Sequence, residues 1–481
     1  MKKTVLFASL ASSSLLFLSG CATPERYGNS ATMFEQGQYG PARELFKDQK
    51  RNPEKDGDKY VLDDLIVGAA SHAAMDFDAA IAAFDSAETG IKAQDEALLA
   101  GKGVAQASAI LSNDNSLPYP VQQYDKIMAN TYKAIDQLAK GEVDAARVEL
   151  NRAGERQRMC KVHFAKLIQK QEEEAAAAKQ DAKFADAFKI VEESIANPET
   201  AKNVEAYRAM TEDWGSYADF MNPFTTFLRG LFLALYGEDA SDYEEACRLM
   251  RQCHAVSPSQ AVRVAYGLAD RFASRASGKA DARNLVWVVF ENGMGPAREE
   301  HRFDLLIPAE SVMYVGVALP KLRKGREAYP CLSIRDGAVE IAKTTLLCDM
   351  DAVVADEFRA QLPAIVARNL TSAALKAALQ VVATKAAEKK GGQLGAMAMG
   401  MGGSALSAAS TQADTRIWSQ LPKNIQVAVL NRPASGKLSL CVPGGTQPLA
   451  EVALKEQAAS IVYVKTPAPG VPPSVAVLTA R

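Results

Sequence analysis

The chain has 481 residues, 48% of them apolar and 23% charged, with a net charge of -2. This is globular composition, which excludes wholesale disorder, and the near-neutral balance gives nucleic acid no electrostatic footprint. The length accommodates several domains of about 100 to 200 residues.

Lys2 and Lys3 precede an apolar run from Val5 to Phe17, and Leu18-Ser19-Gly20-Cys21 closes it with small residues before a cysteine. The order of charge, apolar stretch and small-residue site predicts a lipoprotein signal peptide over 1–20, with Cys21 as the acylated N-terminus and 21–27 as a tether. Ala22, rather than an aspartate, follows the cysteine, which directs the expected anchor to the periplasmic face of the outer membrane. Six cysteines then remain: Cys160, Cys247, Cys253, Cys331, Cys348 and Cys441. Their even number permits disulfides without choosing a pairing. On one helix, Cys247 and Cys253 stand about 240° and about 9 Å apart, too far to bridge.

A spacing recurs through the next 250 or so residues, in units of the size helical repeats take. Tyr39, Ala42 and Phe46 match Phe77, Ala80 and Phe84, and Val143, Ala146, Leu150 and Tyr243, Ala246, Met250 repeat the pattern. An aromatic or apolar residue, a small one three on and a large one four further place a close contact between two antiparallel helices. This resembles the tetratricopeptide repeat, and Gly68, nine residues before Phe77, sits where that family favours a small residue. The resemblance implies a helical repeat domain over 28–280. Within it, Lys166 to Lys183 is rich in alanine and charge and reads as a long exposed helix. Asn222-Pro223 opens a buried helix in which Gly230 marks a tight contact.

From Asn284 the period changes. Leu285 to Phe290 is a buried strand ending at the Glu291-Asn292-Gly293 turn. Phe303–Ile307, Val312–Leu319 and Tyr329–Ile334 are further strands, and Val339–Cys348 returns after Arg335-Asp336-Gly337. Ile425–Leu430, Lys437–Val442 and Ile461–Lys465 complete the expected set. The fold class is therefore α+β: the helical domain, then one sheet domain in two parts, 281–350 and 412–481, with a helical, Gly/Ala-rich insertion over 351–411. Residues 391–410 carry no charge and lie beside Lys385, Lys389 and Lys390, so membrane contact there is a second expectation beside that of a linker.

WVVFENGMGPAREE at 287–300, Leu362-Pro363 and QADTRIWSQLPKNIQVAVL at 412–430 are similar to blocks of a family of bacterial outer-membrane lipoproteins. That family shares the order of lipobox, tetratricopeptide-like helices, β region, small-residue segment and Asp-Thr-Arg-x-Trp-x-x-Leu-Pro. The resemblance spans nearly the whole mature chain and implies an envelope lipoprotein; it implies no activity.

No catalytic signature accompanies it. His72, His163, His254 and His301 have no second ligand at zinc spacing, and GxSxG, a Walker loop and a strand-to-helix GxGxxG are missing. Neither a metal nor a cofactor is expected. Cys253 and His254 are neighbours on a helix and point about 100° apart, a poor dyad. Gly293-Met294-Gly295-Pro296 reads as a turn. Lys321, Arg323, Lys324 and Arg326 form a basic loop able to meet lipid headgroups or to stay solvated. Asp414, Arg416 and Trp418 suggest an ion pair stacked on an indole, either a structural corner or a binding patch.

The first functional expectation is a non-enzymatic scaffold at the outer membrane, holding envelope proteins through its helical repeats, with a homo-oligomer open and no nucleic acid. The second is a membrane-inserting or oligomer-forming protein using 363–410. The third is an envelope hydrolase assembling distant residues such as His301 and Asp414.

Overall fold

The computed structural model describes residues 22–46, 58–99, 117–179, 192–194, 196–274, 282–307, 313–377, 412–445 and 447–480. Cys21, the expected signal segment 1–20 and the uncharged run 391–410 lie outside the described residues. The architecture is mixed α+β with several sheets.

The helices come in hairpins. They are α1 (Ala22–Glu35) with α2 (Tyr39–Glu44), α3 (Val61–Ala73) with α4 (Phe77–Leu99), α5 (Gln123–Lys140) with α6 (Val143–Lys179), then α7 (Pro198–Ala209), and α8 (Pro223–Tyr236) with α9 (Ala240–Val256) and α10 (Gln260–Ala273). Residues 22–27, expected as a tether, are instead the opening turns of α1. Arg26 pairs with Asp63 at 3.1 Å and Tyr27 donates to the same carboxylate at 2.7 Å, which holds the helix start against α3.

The four sequence matches fall at equivalent places, on the second helix of each hairpin. Ala42, Ala80, Ala146 and Ala246 are fully buried, as are Phe46, Phe84, Leu150 and Met250. Gly68 shows why: a Cβ there would stand 2.5 Å from the Phe84 ring, so only hydrogen lets α3 and α4 approach this closely. Gly230 meets Leu249 and Met250 in the same way. Asn222 accepts from the amides of Phe224 and Thr225 and starts α8 with Pro223 in the first turn.

Eleven strands follow among the described residues: β1 Leu285–Asn292, β2 Ala297–Ile307, β3 Met313–Arg323, β4 Ser333–Asp336, β5 Val339–Lys343, β6 Thr345–Asp349, β7 Asn424–Asn431, β8 Lys437–Cys441, β9 Pro448–Ala453, β10 Ala459–Thr466 and β11 Ser474–Ala480. They form three sheets, β11-β10-β1-β7-β6, the ribbon β2-β3, and β5-β4-β8-β9. The arm expected over Val339–Cys348 divides at Thr344. The Thr344 hydroxyl accepts from the Leu332 amide and donates to Gln426, and the chain passes there from the outer sheet to the central one. A helix over 350–377 then leaves β6, and the chain returns as β7, which pairs antiparallel with β6 from Thr345↔Val427 to Asp349↔Asn424.

Alternation along β1 sorts its side chains between two cores. Trp287 and Val289 face the helices, with Ile425, Ile461 and Tyr463 of neighbouring strands. Val286, Val288 and Phe290 face the outer sheet, against Leu332, Ile334, Leu438 and Leu440. A strand covered on both faces reads as a continuous apolar run, which is the reason LVWVVF shows no alternation in the sequence. Nearly every residue of α3, α5 and α8 is buried, so the first helix of each of these hairpins lies inside and α4, α6 and α9 lie outside.

Candidate functional site

The interface between the inner helices and the central sheet holds a buried polar network. Glu291 on β1 and Lys465 on β10 are direct cross-strand partners in the parallel pair and form an ion pair at 2.5 Å. Tyr132 of α5 donates to the same Glu291 oxygen at 3.0 Å. Two residue pairs along, on the same face of β10, Tyr463 bonds to His72 Nε2 at 2.7 Å, and His72 Nδ1 meets Asp136 at 2.5 Å. An aspartate, an imidazole and a hydroxyl in line suggest an activated nucleophile. Burial decides otherwise: His72, Asp136, Glu291 and Tyr132 are 0% exposed, and Tyr463 and Lys465 are 1%. The geometry fixes the sheet on the helices, and no substrate reaches it in this conformation. Desolvation raises the Asp136 carboxyl above the ordinary range, while His72 beside it acts in the opposite sense.

The segments singled out in the sequence converge a short distance away. The Gly293–Pro296 turn at the end of β1 and the Lys324–Arg326 turn at the end of β3 bond reciprocally, Met294 N–H to Arg326 C=O and Arg326 N–H to Met294 C=O, both at 2.9 Å. Gly293 has φ +78°, and a Cβ there would stand 1.9 Å from the Arg326 carbonyl oxygen. The glycine therefore serves contact between two backbones, which explains the Gly-Met-Gly-Pro run without a phosphate loop. Gly295 N–H donates to Leu421 C=O, drawing in the Asp-Thr-Arg-x-Trp block.

Around this junction opens a cleft of about 320 Å³, walled by Tyr27, Ala31 and Glu35 of α1, by Arg298 at the start of β2, by Lys324 to Arg326 and by Thr415 to Ile417. The basic residues expected as one loop divide here. Lys321 and Arg323 belong to β3, and three of the four are paired: Arg323 with Glu299 at 2.6 Å, Lys324 with Asp213 at 2.8 Å, and Arg326 with Glu35 at 2.6 Å.

Arg416 holds Asp414 through two 2.8 Å bonds and donates to Leu117 C=O at 2.9 Å. The expected ion pair is present, but the indole is elsewhere. Arg416 lies over Tyr119 at 5.9 Å, whereas Trp418 packs edge-on to Tyr132 and Phe84. With Asp414, Arg416 and Trp418 all buried, the cluster is a structural corner.

Arg298 stands behind this corner, its Nη1 donating to the Arg416 carbonyl at 3.4 Å and its guanidinium over Phe358 at 5.8 Å. Its Nε has no hydrogen-bond partner, and among the described residues no carboxylate is in ion-pair contact with it. On its far side a second cleft of about 370 Å³ holds Glu357, Lys126 and Asp414. Glu357 accepts from the Gln123 and Tyr124 amides at 2.8 and 3.1 Å, capping α5, yet burial pushes its carboxyl up to about 7. Burial likewise pushes Asp125 up to about 7, against bonds from the Tyr119 hydroxyl and the Gln122 amide. Sequence reading missed Arg298, Glu357 and Asp125, because their significance comes from loss of solvent at a junction of distant segments.

The remaining candidates are dispersed. His301 on β2 stacks on Tyr207 and does not line the cleft that Asp414 borders. Burial and the nearby Lys126 lower His163 to about 4. Cys253 is buried against the Pro223 carbonyl, and the six described cysteines are free thiols rather than the disulfides that their even number permits. No group of metal-ligating side chains occurs among the described residues. Of the segment 363–410, the part up to 377 buries Val366, Leu370, Ala373, Ala374 and Leu375 in the main core, and the remainder lies outside the described residues. No helix among the described residues is long and apolar enough to cross a membrane. No family model, no curated protein and no solved structure matches the chain.

Proposed function

We propose that the chain is a non-enzymatic lipoprotein, anchored through Cys21 at the periplasmic face of the outer membrane, that holds envelope proteins on a tetratricopeptide-like helical layer. The anchoring rests on the sequence order of Lys2-Lys3, apolar run and Leu-Ser-Gly-Cys. The repeat reading rests on the hairpins with fully buried alanines at equivalent places.

The observation that carries the scaffold reading is the surface of α6. This helix runs for 37 residues and exposes Val148, Met159, Val162 and Ile168, each at least 39% accessible. Steps of 11 and 3 residues put Val148, Met159 and Val162 within about 60° of one another around the helix. Large apolar side chains along one stripe favour docking against another apolar surface over contact with water. The inner helices are already covered by the protein's own sheet, so partners would use the outside of the layer.

The test is a photo-crosslinking amino acid at Met159 or Val162 in living cells, with exposed Lys92 as a control site. A discrete adduct from the two stripe positions, lost on Val148→Glu, supports docking there. Equal adducts from all three positions, or none from the stripe, refutes it.

A further inference from the structure

We infer that the cleft between α1, the Lys324–Arg326 turn and the Asp414–Arg416 corner is an anion site for a phosphate ester, taken either as a lipid headgroup or as a free small molecule. The argument concerns charge that the fold has gathered and left partly uncommitted. Arg298, Arg323, Lys324, Arg326 and Arg416 all line this cleft, and among the described residues Glu35 is the one carboxylate that does.

Three of these cations are committed only weakly. The partners of Lys324 and Arg323, Asp213 and Glu299, are 73% and 49% exposed, and Arg326 is itself 61% exposed beside Glu35. Exposed pairs of this kind are worth about 0 to 1 kcal/mol, so a ligand displaces them cheaply. Arg416 is different: its two bonds to Asp414 are buried, and it belongs to the wall. Arg298 has no carboxylate in ion-pair contact among the described residues, Asp414 and Asp125 acting on it only through space. Its Nε is buried without a hydrogen-bond partner, and such a donor costs about 1 to 3 kcal/mol until something accepts from it.

The cations come from different elements, Arg298 from β2 and Lys324 and Arg326 from the turn that follows β3. A tetrahedral oxyanion presents oxygens in several directions and satisfies such a set, where a planar carboxylate offers one edge. The volume exceeds that of inorganic phosphate alone, and Tyr27, Ala31 and Ile417 provide a surface for the organic part of an ester. Residue 22 begins α1, the helix that forms this wall, so a lipid-anchored chain would hold the cleft near headgroups; a soluble ester needs no such anchor.

The structure supplies a reporter. Lys324 Nζ lies 5.6 Å from the centre of the Trp214 ring, which is 7% exposed, whereas Trp287 and Trp418 lie deeper, at 0% and 1%. A ligand that draws Lys324 away changes Trp214 emission. Purified full-length chain in detergent is titrated with glycerol 3-phosphate, and separately with vesicles of phosphatidylglycerol or of phosphatidylcholine. Saturable change with glycerol 3-phosphate identifies a site that accepts the free ester. Change with phosphatidylglycerol but not phosphatidylcholine or glycerol 3-phosphate identifies a headgroup site. Both outcomes support the inference.

Arg298→Gln is expected to weaken the effective ligand by about tenfold or more, and Arg326→Gln by a smaller factor. Should Arg298→Gln fail to fold by circular dichroism, Arg326→Gln read by isothermal calorimetry carries the test, since that side chain is on the rim. No saturable response to any phosphate probe, or an affinity unchanged in every folded variant, overturns the inference.

Discussion

Lys465→Met isolates the cost of the polar seam between helices and sheet. The substitution keeps the volume of the side chain and removes the ammonium 2.5 Å from Glu291. Glu291 is 0% exposed, so its carboxylate is left in the core without a counter-charge, the Tyr132 hydroxyl still donating to it. Breaking one half of a buried pair costs about 3 to 5 kcal/mol, while replacing both halves with well-packed neutral groups is often close to neutral. The single variant should therefore lose about 3 to 5 kcal/mol in urea unfolding, and Glu291→Gln/Lys465→Met should recover at least half of that loss. Unfolding entropy for a chain of this length is about 1 kcal/mol/K, so the expected drop in Tm is only about 3 to 5 °C, and denaturant midpoints resolve it better. One core joins the inner helices to the central sheet, and the parent should unfold in one main transition. A single variant costing under about 1 kcal/mol, or a double variant worse than the single, refutes the assignment of Glu291 as a charge held by Lys465.

Gly68→Ala should destabilise by about 1 to 3 kcal/mol, because its Cβ meets the Phe84 ring at 2.5 Å; Phe84→Leu in the same chain should restore part of the loss by making room, as read by thermal melts. The acids Glu357 and Asp125 have folded pKa values of about 7, above the ordinary range of about 4. Folded chains thus keep protons that unfolded chains release, so their contribution to stability is present below about pH 4 and declines as pH rises towards 7. Glu357→Gln should flatten that slope between about pH 5 and 7, and an unchanged slope would show that Glu357 is ionised throughout. Cys21→Ser should leave the precursor unacylated and unprocessed, since serine offers no thiolate for acyl transfer; mass spectrometry of the mature N-terminus checks it, and an unmodified terminus cleaved elsewhere removes the anchor from the proposed function.

Local pattern made part of this molecule legible. The Tyr39, Phe77, Val143 and Tyr243 motifs placed the second helix of each hairpin, because a buried alanine between large residues has one geometric use. LVWVVF placed the central strand, as its double burial required a continuous apolar run. Elements whose stability comes from pairing rather than pattern were harder to see. Strand β2 begins at Ala297, six residues before its expected start, because Arg298-Glu299-Glu300 sits on a two-stranded ribbon where charge is tolerated on both faces. Strand β11 follows Pro472-Pro473, which masks it, and β9 opens on Pro448 at a sheet edge. The ion pair of Asp414 and Arg416 was readable from two-residue spacing, but the aromatic partner was not. Tyr119 reaches Arg416 from nearly three hundred residues away, and no local rule ranks it over the adjacent Trp418.

The same long-range packing bears on what the helical hairpins of this chain can bind. In a repeat array, each hairpin buries one face against its neighbours and leaves an inner face for a ligand. Here that face belongs to the chain itself: Gln123 and Tyr124 bond to Glu357, Tyr132 to Glu291, His72 to Tyr463, and the Asn222 side chain receives the Cys348 thiol. These contacts come from β1, β6, β10 and the helix 350–377, so the sheet occupies the inner face along its length rather than at one end. A partner competing for that face would have to leave Lys465 and Glu291 without each other, at a cost of about 3 to 5 kcal/mol before its own contacts begin. A partner on α6, or an anion in the Arg298 cleft, displaces only exposed pairs. The outer helices and the junction cleft are therefore where binding is energetically cheap, and variants there separate binding from folding, which no variant of the inner face can do.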